Sequence, residues 1–139
     1  MDEAIQVTFP GGVRADARYK GYMFPTDQPI YDGGTGTAPS PFDYFLGSLA
    51  ACAGYFVVAF CVERKLPTDG LAVSMSWAHN PETHMISKIK IDITLPSGFP
   101  EKYKGAIVKA ADQCTVKRHM LKSPAFEIQA RSGSESSAA

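Results

Sequence analysis

Charge disappears from the chain between Asp43 and Glu63, and the run that fills the gap, Tyr44 to Val62, is apolar or small at every position. Helix signals bracket it. Ser40 is a candidate N-cap and Pro41 a candidate first helical residue, where a missing N–H costs nothing. Asp43 stands in the first turn and Arg64 and Lys65 near the end, each where the helix dipole favours it, and Pro67 stops the helix. The expected helix, Ser40 to Lys65, is roughly 36 Å long at about 1.5 Å per residue. Being apolar on all sides, it is expected to be buried on all sides. Such a run also meets the length of about 18 residues needed to span a membrane. Flanking strand patterns that need a partner, and the lack of an aromatic belt, favour the central helix of a folded domain.

Period-2 alternation dominates elsewhere. Ile5, Val7 and Phe9 predict a short strand, and Pro10-Gly11-Gly12 a turn. Val13, Ala15, Ala17 and Tyr19 alternate with Arg14, Asp16, Arg18 and Lys20, predicting a second strand with one apolar and one charged face. Tyr22 to Phe24 adds a third, giving a β-meander. Pro25 to Pro39 reads as a shaped loop in which Gly33, Gly34 and Gly36 supply positive φ or close backbone approach. It lacks the Gly-Lys-Ser/Thr ending of a phosphate cradle. After the central helix, Leu71, Val73, Met75 and Trp77 mark one strand, Ala78 to Thr83 a hairpin loop, and Ile89, Ile91, Ile93 and Leu95 a second strand within Met85 to Leu95. Tyr103, Ile107, Ala110, Ala111 and Cys114 recur at helical spacing, predicting a helix from Pro100 to about Gln113 with Cys114 at its C-terminal end. Thr115 to Ser123 reads as a basic turn or short helix and Ala125 to Arg131 as a last strand. Paired strands interrupted by helices make the class α+β with antiparallel sheet.

The chain has 139 residues, enough for one domain over residues 1–131, and the Ser- and Gly-rich segment 132–139 reads as a disordered tail. Formal net charge is zero, which gives no sign of a nucleic-acid partner or an anionic membrane surface. The acidic start Met1-Asp2-Glu3 is unlike a signal peptide, and three cysteines, an odd set, argue against a secreted disulfide scaffold. A cytoplasmic protein whose thiols stay reduced or cycle is the expectation. A long apolar helix is hard to bury in so small a monomer, so an obligate homodimer is expected.

Cys52 lies mid-helix among Gly47, Ser48, Ala50, Ala51, Ala53 and Gly54, small residues that let another backbone come close to its thiol. Cys61 follows nine residues later, on about the opposite face and ~13 Å along the axis, too far for a disulfide between the two. Cys114 can meet only one of them, Cys52 if the two helices pack side by side. All three read equally well as small buried hydrophobes. A reactive Cys52 needs a cation, because its own helix dipole fades within a turn. Arg14 and Arg18, on one strand face, are candidates, and Asp43 either orients an arginine or simply favours the helix start. His79, Glu82 and His84 have no metal-site spacing, so no metal or cofactor is expected, and a general-base role for His119, five residues after Cys114, has no support from the pattern.

Two segments, D-Q-P-I-Y-D-G-G-T-G-T-A-P-S-P-F-D-Y-F-L-G-S-L-A-A-C and A-D-Q-C-T-V-K-R-H-M-L, resemble the OsmC/Ohr family, with similarity from roughly Val13 to Ile128. The resemblance implies an intertwined homodimer, two central helices wrapped by antiparallel sheets, and thiol peroxidase activity on organic hydroperoxides at the interface. It implies Cys52 as the peroxidatic cysteine, Cys114 as the resolving one, and an external dithiol as reductant. A glutamate follows the helix-opening proline in the best-studied branch, where it helps hold a catalytic arginine. Phe42 stands there in this chain, with Asp43 one later, which marks a divergent branch. Arg14 is the first candidate for that arginine and Arg18 the second. The alternative function is a non-catalytic dimer binding a small apolar ligand in its interface pocket.

Overall fold

A computed structural model describes residues 3–133. The long helix forms at the expected place, as α1 (Pro41–Glu63). Its start is a reciprocal capping box: the Asp43 N–H donates to Ser40 Oγ at 3.1 Å, and the Ser40 N–H donates to Asp43 Oδ2 at 2.9 Å. At the other end the Arg64 N–H turns back onto the Cys61 and Val62 carbonyls. Replacing Ser40 with alanine should cost about 1 kcal/mol of stability, measurable as a lower midpoint in urea unfolding.

The strands form two separate antiparallel sheets. β1 (Gln6–Thr8), β2 (Ala15–Tyr19) and β3 (Tyr22–Thr26) make the expected meander in the order β1-β2-β3. β2 and β3 join through Lys20 and Gly21, both at positive φ as a tight hairpin turn requires. β4 (Ala72–His79) and β5 (Ile86–Thr94) form a hairpin in which Val73 faces Ile93 and Met75 faces Ile91. That register turns Val73, Ile91 and Ile93 onto the core.

The core is one stripe of α1 (Ala53, Val57, Phe60 and Cys61) against Phe99 and Ile107 and Ala111 of α2 (Lys104–Ala111). The spacing i, i+4, i+7, i+8 is a single helix face. Burial on all sides is not what the chain achieves alone. Tyr55 is 62% exposed and Val62 65%, because α2 and the β4–β5 hairpin cover one face only.

Four other expectations change. The second helix is shorter than read: a 3-10 turn at Glu101–Tyr103 leads into α2, which ends at Ala111. Cys114 (φ −45, ψ 119) is extended, and is the N-cap of a third helix, α3 (Thr115–Leu121), rather than the end of the second. The segment Ala125 to Arg131 is irregular, with Ile128 94% exposed, and among the described residues no strand pairs with its backbone; alternation marks a strand only where a partner exists. The face of β2 read as charged and solvated carries Asp16, which is buried. The tail expectation falls, after residue 133, outside the described residues.

One residue organises the glycine-rich loop without having been singled out. Asp27 is 1% exposed. Its Oδ1 accepts the Gln28 N–H, and its Oδ2 accepts the N–H and hydroxyl of both Thr35 and Thr37. Gly33 and Gly36 take positive φ as expected, and Gly34 lies against Gln28. The Tyr44 hydroxyl donates to Pro25 O at 2.8 Å, tying this loop to the start of α1.

Candidate functional site: a cysteine pair between α1 and α3

α1 presents Cys52 half-buried, one turn beyond Leu49. The short connection after α2 brings Cys114 onto the same turn. Its thiol lies 4.0 Å from Leu49 O and is 2% exposed. The small residues that flank Cys52 admit this approach of a second backbone. Both sulfurs serve the first turn of α3, whose leading N–H groups have no partner within their own helix. The Lys117 N–H donates to Cys114 Sγ at 3.4 Å as a cap, and the Thr115 N–H donates to Cys52 Sγ at 3.2 Å.

This arrangement drives the two thiols apart. Burial pushes the Cys52 thiol up, but hydrogen bonds from the Val116 N–H, the Cys114 thiol, and the N–H and hydroxyl of Thr115 bring it below the ordinary cysteine value. Burial raises Cys114. The Lys117 and Val116 N–H groups oppose that rise, while its bond to Cys52 and the charge there add to it. The two thiols thus differ in direction: Cys52, partly accessible, is lowered, and Cys114, buried, is raised. Cys61 is fully buried in the core, and burial raises its thiol.

The other candidates lie elsewhere. Arg14 pairs with Asp16 (Nη2–Oδ1 3.6 Å), and Arg18 donates to Thr8 Oγ1 at 2.6 Å. Asp43 is engaged in the capping box. Among the described residues, none of the three makes a hydrogen bond or ion pair with either sulfur. The residue whose N–H donates to Cys52, Thr115, carried no sequence signal beyond following Cys114. His119 bonds the Thr115 carbonyl through Nδ1 at 2.8 Å. No cluster of three or more metal-ligating side chains occurs among the described residues.

A cleft of about 750 Å³ reaches Cys114. Ile91, Ile93, Leu95 and Ile107 make its apolar wall, and Lys104 and Lys109 stand among its lining.

The OsmC-like protein family model matches residues 34–129, a span that holds both cysteines and the whole of α1. The chain belongs to the OsmC family. Solved structures bear out the fold, with antiparallel sheets around helices. A Psychrobacter arcticus protein described as osmotic stress induced and of detoxification response is 23% identical, with a TM-score of 0.69 over 82% of this chain and 85% of that one. An OsmC-like protein of Mycoplasma pneumoniae is 14% identical, with a TM-score of 0.60 over 88% of this chain and 91% of that one. An organic hydroperoxide resistance protein of Legionella pneumophila is 17% identical, with a TM-score of 0.54 over 86% and 90%. None of the curated protein sequences compared matches the chain. Helix α1 is long and apolar enough to cross a membrane by length and composition alone. In this OsmC-family chain it is the helix against which α2 and β4 pack.

Proposed function

We propose that the protein is a thiol-dependent peroxidase that reduces organic hydroperoxides. The observation that carries this reading is the meeting of two cysteines distant in sequence: Cys114 is buried with its thiol 4.0 Å from Leu49 O, one turn before Cys52, and the half-exposed Cys52 sulfur accepts the N–H of the residue that follows Cys114 at 3.2 Å. The Cys52 thiolate attacks the terminal oxygen of a hydroperoxide; an S–O bond forms, the O–O bond breaks, and the alkoxide leaves and takes a proton as the alcohol. Cys52 is then a sulfenic acid. The Cys114 sulfur attacks it, an S–S bond forms, and the hydroxyl leaves with the Cys114 proton as water. An external dithiol reduces the disulfide by exchange and is itself oxidised.

The cycle suits a reducing compartment, the cytoplasm, and a homodimer. The N-terminal segment leaves Phe9, Tyr22 and Met23 exposed, and α1 leaves Tyr55 and Val62, apolar side chains that a second copy would cover. Light scattering on the purified protein should give the mass of two chains.

Consumption of cumene hydroperoxide with dithiothreitol tests the peroxidase reading. Turnover is expected, and Cys114→Ser should leave a Cys52 sulfenic acid that dimedone traps. The cleft favours a second reading, a dimer that binds a small apolar ligand with inert thiols. No turnover, together with slow alkylation of Cys52 near neutral pH, would establish the second and remove the first.

A further inference from the structure

We infer that Asp16 is a positioning residue, holding Arg14 of one copy for the Cys52 sulfur of a second. The inference rests on the reading of Cys52 as the nucleophile and on the dimer proposed with it. A thiolate in mid-helix needs a cation from outside its own helix. Arg14 and Arg18 are the strand arginines that can supply one. Among the described residues, neither makes a hydrogen bond or ion pair with a cysteine sulfur of its own chain. The segment that carries them leaves Phe9, Tyr22 and Met23 open to a second copy. An arginine that acts across such an interface loses rotamer freedom on docking unless it is already held.

Asp16 has the marks of such a holder. It is 6% exposed, a degree of burial that a carboxylate rarely reaches unless it is paired. Its cation is Arg14, with Nη2 3.6 Å from Oδ1. Arg14 leads into β2 and Asp16 follows two residues on, so both fall on one face of the sheet. β2 is the middle strand, and Asp16 stands opposite Thr8 of β1 and Pro25 of β3, which fixes the carboxylate from both sides. Arg18 is sent elsewhere, to Thr8 Oγ1 and Met23 Sδ. Asp43, the other carboxylate read as able to orient an arginine, is taken by the capping box.

The pair is also unfinished within one chain. Asp16 Oδ1 and Arg14 Nε are buried, and neither has a hydrogen-bond partner among the described residues. At 3.6 Å the contact between them is an ion pair, but longer than a hydrogen bond. The Arg14 side chain is 34% exposed, so one edge of its guanidinium faces Asp16 while other donors of the fork remain for a second acceptor. An anion suits that fork best, and the Cys52 thiolate is the anion the reaction needs. A cation beside it favours the thiolate over the thiol.

The measurement compares alkylation of Cys52 by iodoacetate, an anion, with alkylation by neutral iodoacetamide, in the purified full chain and read on the Cys52 peptide by mass spectrometry. Both reagents take the thiolate, so the ratio of their rates reports the positive potential at the sulfur and not its ionised fraction. Arg14→Ala is expected to lower the ratio roughly fivefold. Asp16→Asn is expected to lower it about as much, because Arg14 loses its hold, and to add nothing in the Arg14→Ala background. The sign is decisive. A carboxylate acting only through its own charge would raise the ratio when neutralised. One that only supports the sheet would lower the melting temperature and leave the ratio where it is. An unchanged or raised ratio in Asp16→Asn overturns the inference, as does an unchanged ratio in Arg14→Ala. Asp16→Ser, smaller and neutral, decides by the same fall if the asparagine variant does not fold. Alkylation needs no peroxide, so the two readings fail separately. Ratios that fall in a protein consuming no hydroperoxide keep Asp16 as the holder of a cation at Cys52 and overturn the peroxidase; unchanged ratios beside normal turnover do the reverse.

Discussion

Replacing Cys52 with serine is expected to lower cumene hydroperoxide turnover with a dithiol by at least about a thousandfold, the scale seen when a covalent nucleophile is removed. Serine keeps the size of the side chain and the contacts of α1 and α3. It loses the chemistry, because a hydroxyl beside the same donors stays protonated at neutral pH, and oxygen does not form the sulfenic acid on which the second step depends. Cys61→Ala is the control. Cys61 is fully buried, away from the pair, so that variant should lose about 1–2 kcal/mol of stability and keep its turnover. The pH profile carries a sign as well. Hydrogen bonding holds Cys52 below the ordinary cysteine value, so the rise of activity with pH is expected at lower pH than for an unassisted thiol. Equal loss in Cys61→Ala, or a Cys52→Ser protein that turns over normally, would remove Cys52 from the role.

The second large effect concerns stability. A Cβ added at Gly34 would overlap the Gln28 carbonyl and lie 2.8 Å from Asp27 Oδ1. Gly34→Ala must therefore push apart the loop that Asp27 gathers. A loss of about 3 kcal/mol is expected, at the upper end for overpacking and enough to lower the melting temperature by roughly 10 °C. Gly36→Ala separates crowding from backbone strain. Gly36 has φ +65 with nothing within 4 Å of an added Cβ, so it should lose only about 1 kcal/mol.

Asp27 adds a pH signature to the same loop. The Thr35 hydroxyl first, then the Thr37 and Gln28 N–H groups, hold its carboxyl far below the usual carboxylate range, against the opposing effect of burial. A carboxyl depressed on folding contributes stability that is present above its unfolded value of about 4 and lost as pH falls toward the folded one. Asp27→Asn should destabilise the protein at neutral pH and flatten the decline of stability between about pH 4 and pH 2. Urea unfolding across that range checks it; a wild-type decline that survives unchanged in the asparagine variant would exclude this origin.

Local physics wrote much of this protein into its sequence. The helix start at Ser40 and Pro41, the alternation of Val73 with Ile91 and Ile93 across a hairpin, and the conformations of Gly33 and Gly36 each depend on neighbours a few residues away. Sequence shows such neighbours directly, and the structure has these features where the pattern puts them. The two spaced cysteine motifs were equally legible, and they carry the family resemblance that the family model bears out.

What tertiary structure alone decided is how distant groups meet. Periodicity could not tell that Ala125 to Arg131 pairs with no strand among the described residues, since pairing belongs to two segments at once. The uniformly apolar α1 announced burial but not which stripe the single chain covers, and that depends on where α2 and β4–β5 come to rest. No pattern in the sequence set Asp27 apart; its role follows from the loop folding back so that Thr35 and Thr37, eight and ten residues on, close around it. At the cysteine pair, charge counting pointed to Arg14 and Arg18 of the N-terminal strands. Within one chain the fold aims a neutral backbone N–H at Cys52, and since every residue but proline has one, no sequence pattern can mark the one that matters.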